Sequence, residues 1–157
     1  MESFLRSASS VTSTRRRLHH PGLKRAYCSL PLPNRDVPGG AAGGPLYHLA
    51  LSGNWAAAIE AGEYRISGLG MTLEEEGFIH CSLPHQVQLT ADKFYRGRDD
   101  VLLLTIDPAR LTAPLRLERN RPDGEAYPHL YGPLNLEAVI DVRRVAPQAD
   151  GRIVVGV

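Results

Sequence analysis

Glu76-Gly77-Phe78-Ile79-His80-Cys81-Ser82 is a short apolar run that opens at a glycine and breaks abruptly into His, Cys and Ser. Bulky apolar residues bounded by a Gly and a polar end read as a buried strand over residues 78–81, carrying a reactive trio to its C-terminal edge. Two other stretches have the same character, Leu46-Tyr47-His48-Leu49-Ala50 and Tyr127-Pro128-His129-Leu130-Tyr131-Gly132-Pro133. Each sets a His inside an apolar or aromatic run. One such His is commonly a core residue bonded to a neighbour. Three, each on its own predicted element, point to a shared cleft.

Working outward, Ser82 or Pro84 opens a helix that runs to about residue 95, with Val87, Ala91 and Phe94 at helical spacing and Gly97 beyond its end. Residues 101–106 are continuously apolar, a strand buried on both faces. Upstream, residues 46–50 form a strand and 54–61 a helix capped by Ser52, with Trp55, Ala58 and Ile59 on one face and Gly62 as its stop. Residues 64–70 read as a loop or short edge strand, and 72–76 as a turn of helix. Downstream, Asp107-Pro108 breaks the chain before a strand over 115–118. Residues 120–126 are a polar loop with Asp123-Gly124 as its turn. Pro128 and Pro133 exclude a helix over 127–134, which is extended. Residues 137–145 alternate as a strand, and 151–157 close the sheet as an edge. The expected fold is α+β: one compact domain over 45–157, a mostly antiparallel sheet of about six strands and two main helices.

The totals narrow the function. The 157 residues, 43% hydrophobic and 22% charged, suit one soluble globular domain. No apolar run approaches the roughly 18 residues a membrane span needs. Two cysteines, Cys28 and Cys81, with no CxxC, suit a reducing, cytoplasmic setting and argue against a structural zinc site. Residues 1–44 carry seven basic and two acidic residues and are rich in Ser, Arg, Pro and Gly, without hydrophobic periodicity; they read as a disordered extension. Two readings of it stay open, an over-extended start or a transit peptide, which is Arg-rich, Ser-rich and acid-poor. Residues 45–157 hold eleven basic and fifteen acidic residues, a balance of −4, which argues against general nucleic-acid binding. No protein partner is indicated.

Several side chains carry candidate chemistry. His80 is an imidazole that titrates near neutrality and suits acid–base or phosphate work. Adjacent strand residues point to opposite faces, so Cys81 faces away from His80 and reads as a small buried hydrophobe. Ser82 shares the face of His80 and can bond a sugar hydroxyl or cap the helix. His129 and Tyr131, two apart on an extended stretch, also share a face. His48 is either a ligand contact or a core residue. A three-His metal site from His48, His80 and His129 has no diagnostic spacing, and no metal is expected.

Together, Tyr47-His48-Leu49-Ala50, Glu76 through Ser82, Gly97 through Leu104 with Ile106-Asp107-Pro108, and Pro128 through Leu134 resemble the DUF952 family, mainly bacterial and without an established activity. The resemblance covers residues 45 to about 146. More remotely, the pattern is similar to the ADP-ribosyltransferase superfamily and the RNA 2'-phosphotransferases that share its fold. That resemblance implies an ADP-ribosyltransferase-like fold binding NAD or an ADP-ribose-like nucleotide as cofactor or substrate. It places His48 on the ribose and His80, Cys81 and Ser82 beside the nicotinamide. The third motif of that superfamily presents a Glu; here residues 129–131 hold none, and Glu125 and Glu137 only flank it. The expectation is ADP-ribosyl- or phosphotransferase-type group transfer, with His80 and His129 catalytic and His48, Ser82 and Tyr131 binding the ligand. The alternative is a non-catalytic nucleotide-binding module.

Overall fold

The computed structural model describes residues 44–157; the expected extension lies, but for its last residue, outside the described residues. Strand β1 (Leu46–Leu51) runs straight into helix α1 (Ser52–Ala61). Leu51 holds the cap position with no side-chain cap bond, so Ser52 is the first helical residue and not the expected cap. The helix stops at Gly62, which takes a left-handed φ of 84° and donates its N–H to Ala58 O. Ala58 is buried, but Ile59 faces solvent rather than sharing that face.

Three two- or three-residue strands follow, β2 (Glu63–Tyr64), β3 (Ile66–Gly68) and β4 (Met71–Thr72), and then the single turn α2 (Leu73–Glu76). Thr72 and Glu75 cap that turn reciprocally: Glu75 N–H donates to Thr72 Oγ1 at 3.3 Å and Thr72 N–H to the Glu75 carboxylate at 2.9 Å. Strand β5 (Ile79–His80) leads to α3 (Pro84–Phe94), where Pro84 sits at the first helical position. Helix α3 buries Val87 and Ala91, but Tyr95 rather than the expected Phe94 completes its inner face. The remaining strands are β6 (Val101–Ile106), β7 (Leu115–Arg119), β8 (Ala126–Leu130), β9 (Leu134–Asn135) and β10 (Val139–Val145).

The fold is α+β, and every strand pair is antiparallel. The expected single sheet of about six strands is instead four small sheets, in orders β1-β6-β10, β5-β8-β7, β2-β9 and β3-β4. The two larger ones meet at one bridge, where Tyr47 and Ser82 exchange backbone hydrogen bonds of 2.9 and 2.8 Å. The join goes no further because Pro84, two residues on, has no N–H and starts a helix.

Alternation along β1 and β6 divides the core. Leu46, Ala50, Leu104 and Ile106 face a cluster with Ile79, Leu130 and Leu134. Tyr47, Leu49, Val101 and Leu103 face a second cluster under α3. The C-terminal residues do not form the expected edge strand; they make one bridge, Pro147 to Ile153. The Gln88 amide replaces a strand partner, donating to Ile153 O at 2.8 Å and accepting from Val155 N–H at 3.1 Å.

Candidate functional site

The sheet β5-β8-β7 has two unlike faces. Its register places His80 opposite His129, Arg116 opposite His129 and Glu118 opposite Tyr127. Ile79, Leu130 and Leu115 therefore turn toward the core, while His80, His129, Arg116 and Glu118 share the other face. Phe78, two residues before His80, covers that face: its ring stacks on His129 with centroids 4.0 Å apart and planes at 20°. It also meets His80 edge-on at 4.8 Å.

Glu118 organises the group. Its Oε2 accepts from the Tyr131 hydroxyl at 2.5 Å and from His129 Nδ1 at 3.0 Å. Partial burial pushes the Glu118 carboxyl up, but these two hydrogen bonds hold it below its ordinary value, so it is ionised. An ionised carboxylate only accepts, so the neutral His129 ring carries its proton on Nδ1. Nε2 is then a bare acceptor, and it is buried with no hydrogen-bond partner. Burial lowers the His129 pKa, partly offset by Glu118. Burial and the Glu118 hydrogen bond raise Tyr131 to about 12. The Arg116 guanidinium lies 4.8 Å from the Tyr131 ring centroid.

His80 stands at right angles to His129, centroids 5.3 Å apart. Its Nε2 is 3.4 Å from Glu76. Burial, then the neighbouring His129, lower the His80 pKa, with Glu76 opposing. Two imidazoles this close cannot both be charged cheaply.

His48 is placed differently. Its Nδ1 lies 2.6 Å from His80 O and its Nε2 3.0 Å from the Tyr64 hydroxyl. A carbonyl only accepts, so Nδ1 donates and Nε2 accepts from Tyr64. Both nitrogens are thus engaged inside the protein, and burial drives the ring pKa down to about 4. His48 holds the backbone of His80 in place and has no nitrogen left for a ligand.

Ser82 does not cap α3, since Leu83 holds that position. Its hydroxyl is 3.3 Å from Thr90 Oγ1. Thr90 in turn donates to Gln86 O, so Ser82 is the donor to Thr90. Cys81 is buried, its thiol pushed up to about 12, consistent with a structural role. Arg65 is paired with Glu63 and Glu74. Among the described residues no three His, Cys, Asp or Glu side chains are grouped to hold a metal.

His48, His80, Cys81 and Ser82 line a cavity of about 770 Å³ between β3–β4 and α3, together with Ser67, Lys93 and Phe94. His80 therefore joins the His129 face to an open cleft of ligand size. His80 packs edge-on against His129, and Tyr131 shares Glu118 with it, but His129 and Tyr131 are not among the residues lining the cavity that His48, His80 and Ser82 line. Sequence reasoning missed Glu118, Phe78 and Glu76. The missing signal for Glu118 was hairpin register: a turn at Asp123-Gly124 folds β7 onto β8 and brings a carboxylate beside His129 from eleven residues away.

A family model described as "Protein of unknown function (DUF952)" matches residues 50–142. The crystal structure of protein CC0527 from Caulobacter crescentus is similar at 31% identity and a TM-score of 0.64, covering 72% of this chain and 96% of that one. The solution NMR structure of CC0527, at 31% identity and a TM-score of 0.58, covers 69% and 90%. Comparison with curated proteins finds no match. No helix among the described residues is long and apolar enough to cross a membrane.

Proposed function

The chain belongs to the DUF952 family, and from that premise we propose that its domain binds a nucleotide of the NAD or ADP-ribose type and transfers a group by acid–base chemistry at His129 and His80. One observation carries this reading: His129 Nε2 is buried and unpartnered while Nδ1 is fixed on Glu118. Buried polar atoms are rarely left without a partner, and the exceptions cluster where a ligand or reaction supplies one. Glu118 sets the tautomer, as the carboxylate does in other His–carboxylate pairs.

With NAD, His129 Nε2 takes the proton of an acceptor hydroxyl as that oxygen attacks the ribose anomeric carbon. The carbon–nitrogen glycosidic bond breaks, its electrons return to the ring, and neutral nicotinamide leaves. His80 contacts the ribose, Phe78 and Tyr131 offer ring faces, and Arg116 offers a positive charge to phosphate. His48 acts as a positioning residue through the His80 carbonyl, and Ser82 lines the adjoining cleft. Phe78, which covers His129, favours a second reading, a module that holds the nucleotide without turning it over.

The test is calorimetric titration with NAD and ADP-ribose, followed by assay of nicotinamide release in wild type, His129→Gln and Glu118→Gln. The proposal expects binding in all three and turnover reduced roughly 10²- to 10⁴-fold in His129→Gln. Binding without turnover in wild type selects the module. Absence of binding by either nucleotide overturns both.

A further inference from the structure

Of the large apolar side chains that face solvent, four gather on one cavity: Leu69, Met71, Leu89 and Phe94. Leu89 and Phe94 are 62% and 54% exposed, a costly placement on a helix whose inner face is already complete with Val87, Ala91 and Tyr95. The same cavity has a single cationic side chain, Lys93, the only lysine of residues 44–157. Lys93 has no carboxylate partner among the described residues; Asp92, which also lines the cavity, has its carboxylate held by Arg152 and Gln88. Its ammonium lies 4.9 Å from the Phe94 ring centroid, which keeps it beside the apolar wall. Ser67 lines the same cavity, is fully buried, and its hydroxyl has no hydrogen-bond partner.

An apolar wall, one free cation and one unpartnered hydroxyl describe a site for a ligand with an apolar body and an anionic head. We propose that the α3 side of this cavity binds a small amphipathic anion, its ring or acyl chain against Leu69, Met71, Leu89 and Phe94 and its carboxylate or phosphate at Lys93. The anion can be the phosphate of a ring-bearing nucleotide or the carboxylate of a sugar-free acid; the shared chemistry is an apolar group next to one negative charge. This inference rests on the cavity lining and stands whether or not His129 carries out any reaction.

The experiment is calorimetric titration of the full chain with octanoate, octyl phosphate, 1-octanol and nicotinamide mononucleotide. Wild type is expected to bind octanoate or octyl phosphate at least about tenfold more tightly than 1-octanol, the range a hydrogen bond to a charged group supplies. Lys93→Gln, an exposed change that leaves the fold intact, should erase that preference and leave 1-octanol unaltered. Leu89→Asp should weaken every probe. Nicotinamide mononucleotide binding through Lys93 in place of the octyl acids supports the proposal with a nucleotide as its source. Equal binding of octanol and the octyl acids, an unchanged preference in Lys93→Gln, or no binding of any probe overturns it. His129→Gln should leave octanoate binding unchanged, which separates a failure here from a failure of the acid–base site.

Discussion

Lowering the pH should destabilise this domain through His48 before its carboxylates are titrated. Burial holds the His48 ring at about 4, against an ordinary value of 6.5. The folded value lies below the unfolded one, so between these limits the unfolded chain binds a proton that the native chain does not. Stability is complete above the unfolded pKa and is lost as pH falls through that window. The full shift corresponds to about 3 kcal/mol, of which about 2 kcal/mol is lost between about pH 7 and about pH 5. Protonation also puts a second N–H on the ring, facing a Tyr64 hydroxyl that burial keeps protonated and that has been donating to that nitrogen. His48→Gln stays neutral and keeps a donor and an acceptor. Denaturant unfolding of both proteins across that range should show the wild-type advantage shrinking by about 2 kcal/mol toward the acid end. If Gln is not tolerated, NMR titration of the wild-type ring gives the same answer through a midpoint near 4. Parallel stability curves, or a midpoint near the ordinary value, refute the reasoning.

Other perturbations read other parts of the structure. A Cβ at Gly132 would lie 2.8 Å from Ala113 Cβ, at a φ of 155°, so Gly132→Ala should cost about 1–3 kcal/mol by denaturant unfolding. In a Cys28→Ser background, Cys81, its thiol raised to about 12, should resist a thiol reagent until the domain unfolds; rapid reaction of the native protein contradicts its burial. Gln88→Ala removes that side chain's two hydrogen bonds to Ile153 and Val155 and should speed amide exchange at Val155 while leaving exchange at Leu103 unaltered.

The fold was legible where one pattern decided it. Residues 101–106 are apolar without a break, and β6 is the central strand with both faces covered. Gly62 and Pro84 mark helix ends because each has a backbone reason to be there, a left-handed φ and a missing N–H. The division into small sheets was not legible, because pairings of two residues leave no periodic signature. Phe94 and Ile59 sit at core spacing yet face outward, since Tyr95 and Ala58 already fill the space beneath their helices. For the site, strand alternation separated His80 from Cys81 and joined His129 to Tyr131. The contrast between His48 and His129 was invisible: both are histidines in apolar strands, and only the partners of their nitrogens distinguish a satisfied ring from an unsatisfied one. Those partners, Tyr64, the His80 carbonyl and Glu118, lie eleven to thirty-two residues away.

The central claim concerns one atom, His129 Nε2. Long-range proton–nitrogen correlation NMR of the imidazoles at neutral pH reports the tautomer of each ring. The account expects His129 to be neutral with its proton on Nδ1, Nε2 resonating as an unprotonated nitrogen, and that resonance moving when NAD or ADP-ribose is added. A proton on Nε2, or a doubly protonated ring, would contradict it.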